Sequence, residues 1–122
     1  MADKPILRFV PILPVKDLVR AIDFYRLLGF SARRYQNGDG YAFLTRDDHE
    51  IHLRTAPDLI AGHNPSGVYF YLADGTAAAL QDSFRDAGVA ILSPLDPREW
   101  GMNEFALSDL DHNLLRFGEK LP

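Results

Sequence analysis

The chain has no cysteine, which excludes a disulfide framework, a thiolate nucleophile and any cysteine-ligated zinc or iron site. It has no apolar run near the roughly 20 residues that a membrane-spanning helix needs, and no secretory leader pattern at its start. Positive charge is in short supply: 13 basic residues face 17 acidic ones, a formal charge of −4. Because a phosphate backbone is bound chiefly by clustered Lys and Arg, that balance argues against nucleic acid and otherwise serves solubility. Gly-x-Ser-x-Gly elbows, phosphate loops and Gly-x-Gly-x-x-Gly fingerprints are missing too. The paired carboxylates Asp47-Asp48 fall in a turn, where water should solvate them. The expectation is a soluble, cytoplasmic protein with no nucleic-acid or membrane partner and no catalytic residue.

What is present is 122 residues, 47% of them hydrophobic. That suits a single domain, 1–122, able to remove about two-thirds of its unfolded surface from water. The informative stretch is Arg98–Glu119. It joins the lone tryptophan, in Glu99-Trp100-Gly101, to two runs of strand composition, Asn103–Ser108 and Asn113–Phe117. Asp109-Leu110-Asp111-His112 between them has tight-turn chemistry, since Asp, Asn and His tolerate left-handed backbone. Gly40–Leu53 repeats that order more weakly. Each hairpin follows a helical pattern closed by glycine, Asp23–Gly29 and Asp82–Gly88. The fold class expected is therefore α+β: two tandem βαβββ modules, repeats of about 6–55 and 66–118, forming a curved mixed sheet with helices on its convex face.

Residues 1–5 read as a frayed start. Ile6–Val15 has strand composition, but Pro11 and Pro14 each remove a ladder donor, which predicts an edge, bulged or exchanged strand. Asp17 is placed to cap a helix carrying Leu18, Ala21, Ile22, Tyr25 and Leu28. Strands follow at Phe30–Gln36, Tyr41–Arg46 and Glu50–Thr55, with a loop over Ala56–Pro65. Ser66–Ala73 looks like a strand buried on both faces. A second helix carries Ala77, Leu80, Phe84 and Ala87, then a strand at Val89–Leu92, an irregular loop at Ser93–Glu99, the closing hairpin, and a tail from Gly118.

A helix lying across a sheet buries one face, so alternation sends the polar members to the other. Ile51 and Leu53 should face the first helix, leaving Glu50, His52 and Arg54 opposite. Phe105, Leu107, Leu115 and Phe117 should face the second, leaving Glu104, Ser108 and Arg116 opposite. The same count assigns Tyr41 to the helix side. A single-layer sheet in water would alternate in this way as well as a pocket would. His49, by parity, and His63 and His112, in a loop and a turn, are expected to be solvated. His52 is more simply an inward histidine bonded to Glu50 or Glu104 than a metal ligand.

Leu13-Pro14-Val15-Lys16-Asp17 leading to Ala21-Ile22-Asp23-Phe24-Tyr25, then Leu28-Gly29-Phe30, Glu99-Trp100-Gly101, Phe105-Ala106-Leu107 and Leu114-Leu115-Arg116-Phe117, together resemble the vicinal oxygen chelate superfamily. The similarity covers nearly the whole chain and is closest to the bleomycin resistance branch. Metal-dependent members hold a divalent ion on four strands. By resemblance those places fall on Val10, His52, Val68 and Arg116, of which only His52 can bind a metal, so no metal and no cofactor is expected. The bleomycin resistance branch implies a homodimer, commonly with an exchanged N-terminal strand, holding an aromatic, cationic drug in clefts between subunits. Trp100 matches the family's cleft tryptophan and Tyr41 resembles a cleft aromatic. Tyr35, Phe70, His52, Glu104 and Arg116 complete the candidate ligand-binding set, although a sole tryptophan is core as often as site and a residue like Phe70, placed by strand alternation only, is more often core. Arg8, Arg54 and Arg116 suit an anionic ligand better than a cationic one. A metal-dependent glyoxalase- or dioxygenase-type enzyme and a small-metabolite binder are the alternatives.

Overall fold

The computed structural model describes residues 3–122; of the frayed start expected at residues 1–5, positions 1 and 2 lie outside the described residues. The first half contributes β1 (Ile12–Val15), α1 (Leu18–Leu27), β2 (Ser31–Arg34), β3 (Tyr41–Arg46) and β4 (His49–Thr55). The second contributes β5 (Gly67–Tyr71), α2 (Ala77–Asp86), β6 (Ser93–Pro97), β7 (Met102–Ser108) and β8 (Leu114–Lys120). This is the βαβββ order expected, in an α+β chain. The strands form two four-stranded mixed sheets, ordered β1-β4-β3-β2 and β5-β8-β7-β6, rather than one continuous sheet.

Local chemistry accounts for most element ends. Asp17 caps α1 by accepting the Arg20 backbone N–H at 3.1 Å. Helix α1 stops at Gly29, whose φ of +88° is left-handed and which also leaves room for the Arg46 guanidinium to reach the Leu28 carbonyl. Helix α2 is capped from a distance. Thr76 offers its N-terminus no side-chain bond, and the Glu119 carboxylate accepts the Gly75 and Ala77 N–H groups, both at 2.7 Å. The expected tail is thus an ordered end of β8.

Other expectations need correcting. Only Ile12–Val15 of the Ile6–Val15 run is strand, because residues 6–11 find no ladder of their own and stand as an apolar arm. The Phe30–Gln36 strand stops at Arg34, where the chain winds through one tight turn with Gln36 and Asn37 at positive φ. Strand β5 is an edge strand and half exposed, not buried on both faces, since only β8 flanks it. Val89–Leu92 is not a strand. The strand falls instead on Ser93–Pro97, where two prolines are accommodated at a sheet edge beside a register shift.

Ala42, Leu44, Ile51 and Leu53 on one sheet, and Phe105, Leu107, Leu115 and Phe117 on the other, are buried with the apolar faces of α1 and α2 in one core. The halves are fastened by a buried polar cluster at the β7–β8 turn. Asp109 accepts the Tyr25 hydroxyl at 2.6 Å, and its other bonds come from Asp111 and Asn113 within the turn. Asn113 donates to the Pro14 carbonyl at 2.9 Å, while Asp111 accepts the Lys16 N–H at 3.0 Å. No helix among the described residues is long and apolar enough to cross a membrane.

Candidate functional site

With one face of each sheet covered by a helix, the opposite faces carry the polar and aromatic groups. On the first sheet, register pairs Phe43 with His52 and Tyr41 with Arg54, so all four share the helix-free face. Tyr41 is therefore not on the helix side as alternation had suggested. Ala42 and Leu44, both buried, take that side. The Tyr41 hydroxyl lies 2.7 Å from His52 Nδ1, and His52 Nε2 is bonded to Glu50. A carboxylate has no proton to give, so Nε2 carries the hydrogen and, in the neutral ring, Nδ1 accepts from Tyr41. The hydrogen bond from His52, followed by the bond from Arg8 at 3.0 Å, holds Glu50 below the ordinary carboxylate range despite some desolvation. Arg33 stands 4.4 Å from the Phe43 ring centre, and Tyr35 meets the same ring edge-on at 6.4 Å.

The second sheet carries a separate group. Glu104, on β7, is only 3% exposed. Its Oε2 accepts the Tyr69 hydroxyl at 2.5 Å and the Trp100 indole N–H at 2.8 Å. Arg98 Nε lies 4.0 Å from its other oxygen. Burial pushes the Glu104 carboxyl up, but these two hydrogen bonds, with the Arg116 and Arg98 charges, outweigh it and leave the group below its ordinary value. Tyr69 is raised in turn, by desolvation first and by its bond to Glu104 second. Trp100 as a residue is 59% exposed, in a bend whose Gly101 has φ +87°.

Of the residues singled out from sequence, the structure gathers Tyr35, Tyr41 and His52 on one sheet and Trp100, Glu104 and Arg116 on the other. No hydrogen bond or ion pair links the two groups among the described residues. Phe70 belongs to neither. It stacks at 4.5 Å on Phe117, on the helix side, because Val68 and Phe70 share the register face of Leu115 and Phe117. Tyr69, its neighbour, takes the helix-free face opposite Arg116 and was missed, as were Phe43 and Gly118. The signal was there: in Val-Tyr-Phe-Tyr-Leu the tyrosines alternate with purely apolar residues.

The same parity corrects the assignment of a metal place to Val68, which points to the core; Tyr69 occupies the matching face. A metal would meet an aliphatic arm residue, an imidazole with both nitrogens engaged, a phenol and a guanidinium. That set does not fit a divalent ion. Among the described residues no three His, Cys, Asp or Glu side chains come together as candidate ligands. His49, His63 and His112 are exposed. A groove of about 780 Å³ lies between the halves, lined by Phe9 of the arm, Phe30, Phe70, Phe84, Glu50 and Tyr69 among others; neither Trp100 nor Glu104 borders it.

A family model described as the Glyoxalase/Bleomycin resistance protein/Dioxygenase superfamily matches residues 6–117. A bleomycin resistance protein of Geobacillus stearothermophilus is 31% identical over 134 aligned residues, spanning 94% of this chain and 98% of that protein. Among solved structures, a bleomycin-binding protein complexed with bleomycin superposes with a TM-score of 0.82 at 24% identity, covering 93% of this chain and 98% of that one. The bleomycin resistance determinant encoded on transposon Tn5 gives 0.83 at 24% identity, covering 94% and 98%. Both structural likenesses concern the fold.

Proposed function

The chain belongs to the glyoxalase/bleomycin resistance protein/dioxygenase superfamily, and from that premise we propose that it is a cytoplasmic binding protein, not an enzyme, that sequesters an aromatic, cationic small molecule of the bleomycin type. The observation that carries this reading is the exposed Trp100 ring held beside Tyr69 over the buried Glu104 carboxylate. Ring faces attract cations and offer stacking area at low entropic cost, and an ionised carboxylate behind them strengthens the preference. The resemblance to a relative named for bleomycin resistance supports the ligand class. The poor fit of the donor set to a metal favours holding over turnover.

In this reading the working unit is a homodimer with the ligand between subunits. Leu7 and Phe9 are 96% and 85% exposed on an arm without a ladder, beside the apolar groove. A second copy would cover them and could bring the Tyr41–His52 group of one chain against the Trp100 group of the other. Tyr35, Tyr41, His52 and Arg116 then join Trp100 as cleft residues.

Titrating the protein with bleomycin while following the emission of its single tryptophan tests the ligand. A saturable change at micromolar drug supports the proposal, and a flat trace removes bleomycin. Sedimentation of a monomer at the same concentration would remove the shared cleft. Arg54 and Arg116, exposed on the helix-free faces, favour a second reading, a small anionic metabolite. A thermal-shift screen separates the two, because a ligand of the folded state raises the midpoint with its concentration.

A further inference from the structure

We propose that Glu104 is a positioning residue, which holds Trp100 and Tyr69 as a preformed aromatic wall, and that residue 118 is glycine so that Tyr69 can cross the sheet to reach it. The inference rests on the reading of Trp100 as a ligand-contacting ring, and it changes the part played by Glu104. A carboxylate 3% exposed, with one oxygen already accepting two donors, has little left to offer a ligand. What it does is fix two rings. The indole N–H is the only polar group of the Trp100 side chain and can only donate, so its bond to Oε2 sets where the exposed ring stands.

Gly118 supplies the space. Tyr69 lies on β5 and Glu104 on β7, with β8 between them. Strands in a sheet are about 4.8 Å apart, so a contact between side chains on the two outer neighbours must pass over the middle one. Gly118 is the β8 residue in register with Glu104. A Cβ added there would run into the Tyr69 hydroxyl, come within 2.9 Å of its ring carbon Cζ and within 3.1 Å of Glu104 Cγ. Gly118 is not among the glycines at positive φ, so its backbone would accept alanine. The reason for a glycine at this place is the ring that passes over it. Net stabilisation of the charged form of Glu104 is what a group fastening two donors at neutral pH requires. A wall ordered beforehand spares the ligand the cost of ordering it.

Because Trp100 is the only tryptophan, its fluorescence reads the proposal without any ligand. The protein and the variants Glu104→Leu, Glu104→Gln, Gly118→Ala, Tyr69→Ala and Gly118→Ala/Tyr69→Ala would be compared by emission anisotropy, acrylamide quenching and circular dichroism. Glu104→Leu and Gly118→Ala should lower the anisotropy and raise quenching with the dichroism unchanged, and Glu104→Gln, which keeps an acceptor, should restore part of the signal. Once Tyr69 is alanine, adding Gly118→Ala should change far less, since only the close approach to Glu104 Cγ remains, whereas a general disturbance of the strand would act with or without the ring. Acidification should shift the wild-type emission below the ordinary carboxylate range, and no such step should remain in Glu104→Gln. Bleomycin affinity of Glu104→Leu should fall roughly 2- to 10-fold, the factor for one side chain that must be ordered on binding. An unchanged tryptophan signal in folded Glu104→Leu and Gly118→Ala would overturn the proposal. If the signals move as stated but bleomycin leaves wild-type emission flat, the positioning role stands and the ligand reading falls alone.

Discussion

Replacing Tyr25 by phenylalanine removes one oxygen atom from the fastening between the two halves and leaves the ring in place. The phenol is fully buried and donates to Asp109 Oδ2 at 2.6 Å. No cavity opens, so the cost is that of one hydrogen bond to a charged group, about 1.5–3 kcal/mol. Asp109 keeps its bonds from Asn113 and from the Asp111 backbone, which places the expected loss near the lower end, about 2 kcal/mol. For a domain of this size that is a fall in Tm of roughly 6–10 °C. Burial, and then the Asp109 charge, raise the Tyr25 pKa well above its usual value. The folded state therefore holds this proton more tightly than the unfolded chain does. The contribution is complete below about pH 10 and is lost as pH rises further. Urea unfolding of wild type and Tyr25→Phe across pH 7 to 11 would show a constant gap that narrows in the alkaline limb. A loss under about 0.5 kcal/mol at pH 7, or a gap that does not narrow, would refute the idea that this hydroxyl ties the halves together.

Removing the distant cap of α2 with Glu119→Ala should cost about 1–2 kcal/mol, seen as a lower midpoint by circular dichroism, because Thr76 does not replace it. Glu104, with its carboxyl held below the ordinary range, contributes stability that is present above about pH 4.5 and lost as pH falls through its lowered value; Glu104→Gln should flatten that acid limb in a urea series. Leu7→Asp with Phe9→Ser should leave the unfolding free energy of the monomer within about 0.5 kcal/mol of wild type, as for exposed positions generally, while shifting sedimentation toward a single chain.

The helices were legible because their signals are local. Asp17 and Gly29 bracket a 3.6-residue stripe whose members Leu18, Ala21, Ile22 and Tyr25 are all buried. The tight turn at Asp109–His112 was legible from residue types that tolerate left-handed backbone, and His112 has φ +62°. Strand faces were legible where apolar and polar residues alternate without interruption, as from Glu50 to Arg54. Alternation misplaced Tyr41, and at Val68–Leu72 the one cue, a hydroxyl on every second ring, is weak because all five residues are large and mostly apolar. Asp109 and Asp111 read as residues of a tight turn and Asn113 as the start of the closing strand, with nothing local to mark them as buried. In the folded chain they are buried, because the turn they make is pressed between β1 and α1 of the other half.

By itself the sequence determined the class and order of the elements and the placing of His52, Glu104 and Arg116 on the side of the sheets away from the helices. Each of these follows from residue type and short-range periodicity. Only the tertiary structure decided that Tyr69 rather than Phe70 lies on the helix-free face, that it passes over Gly118, and that the buried Glu104 carboxylate accepts both Tyr69 and Trp100. Those facts depend on which strands become neighbours and in what register, and register is set by packing between segments far apart in the chain.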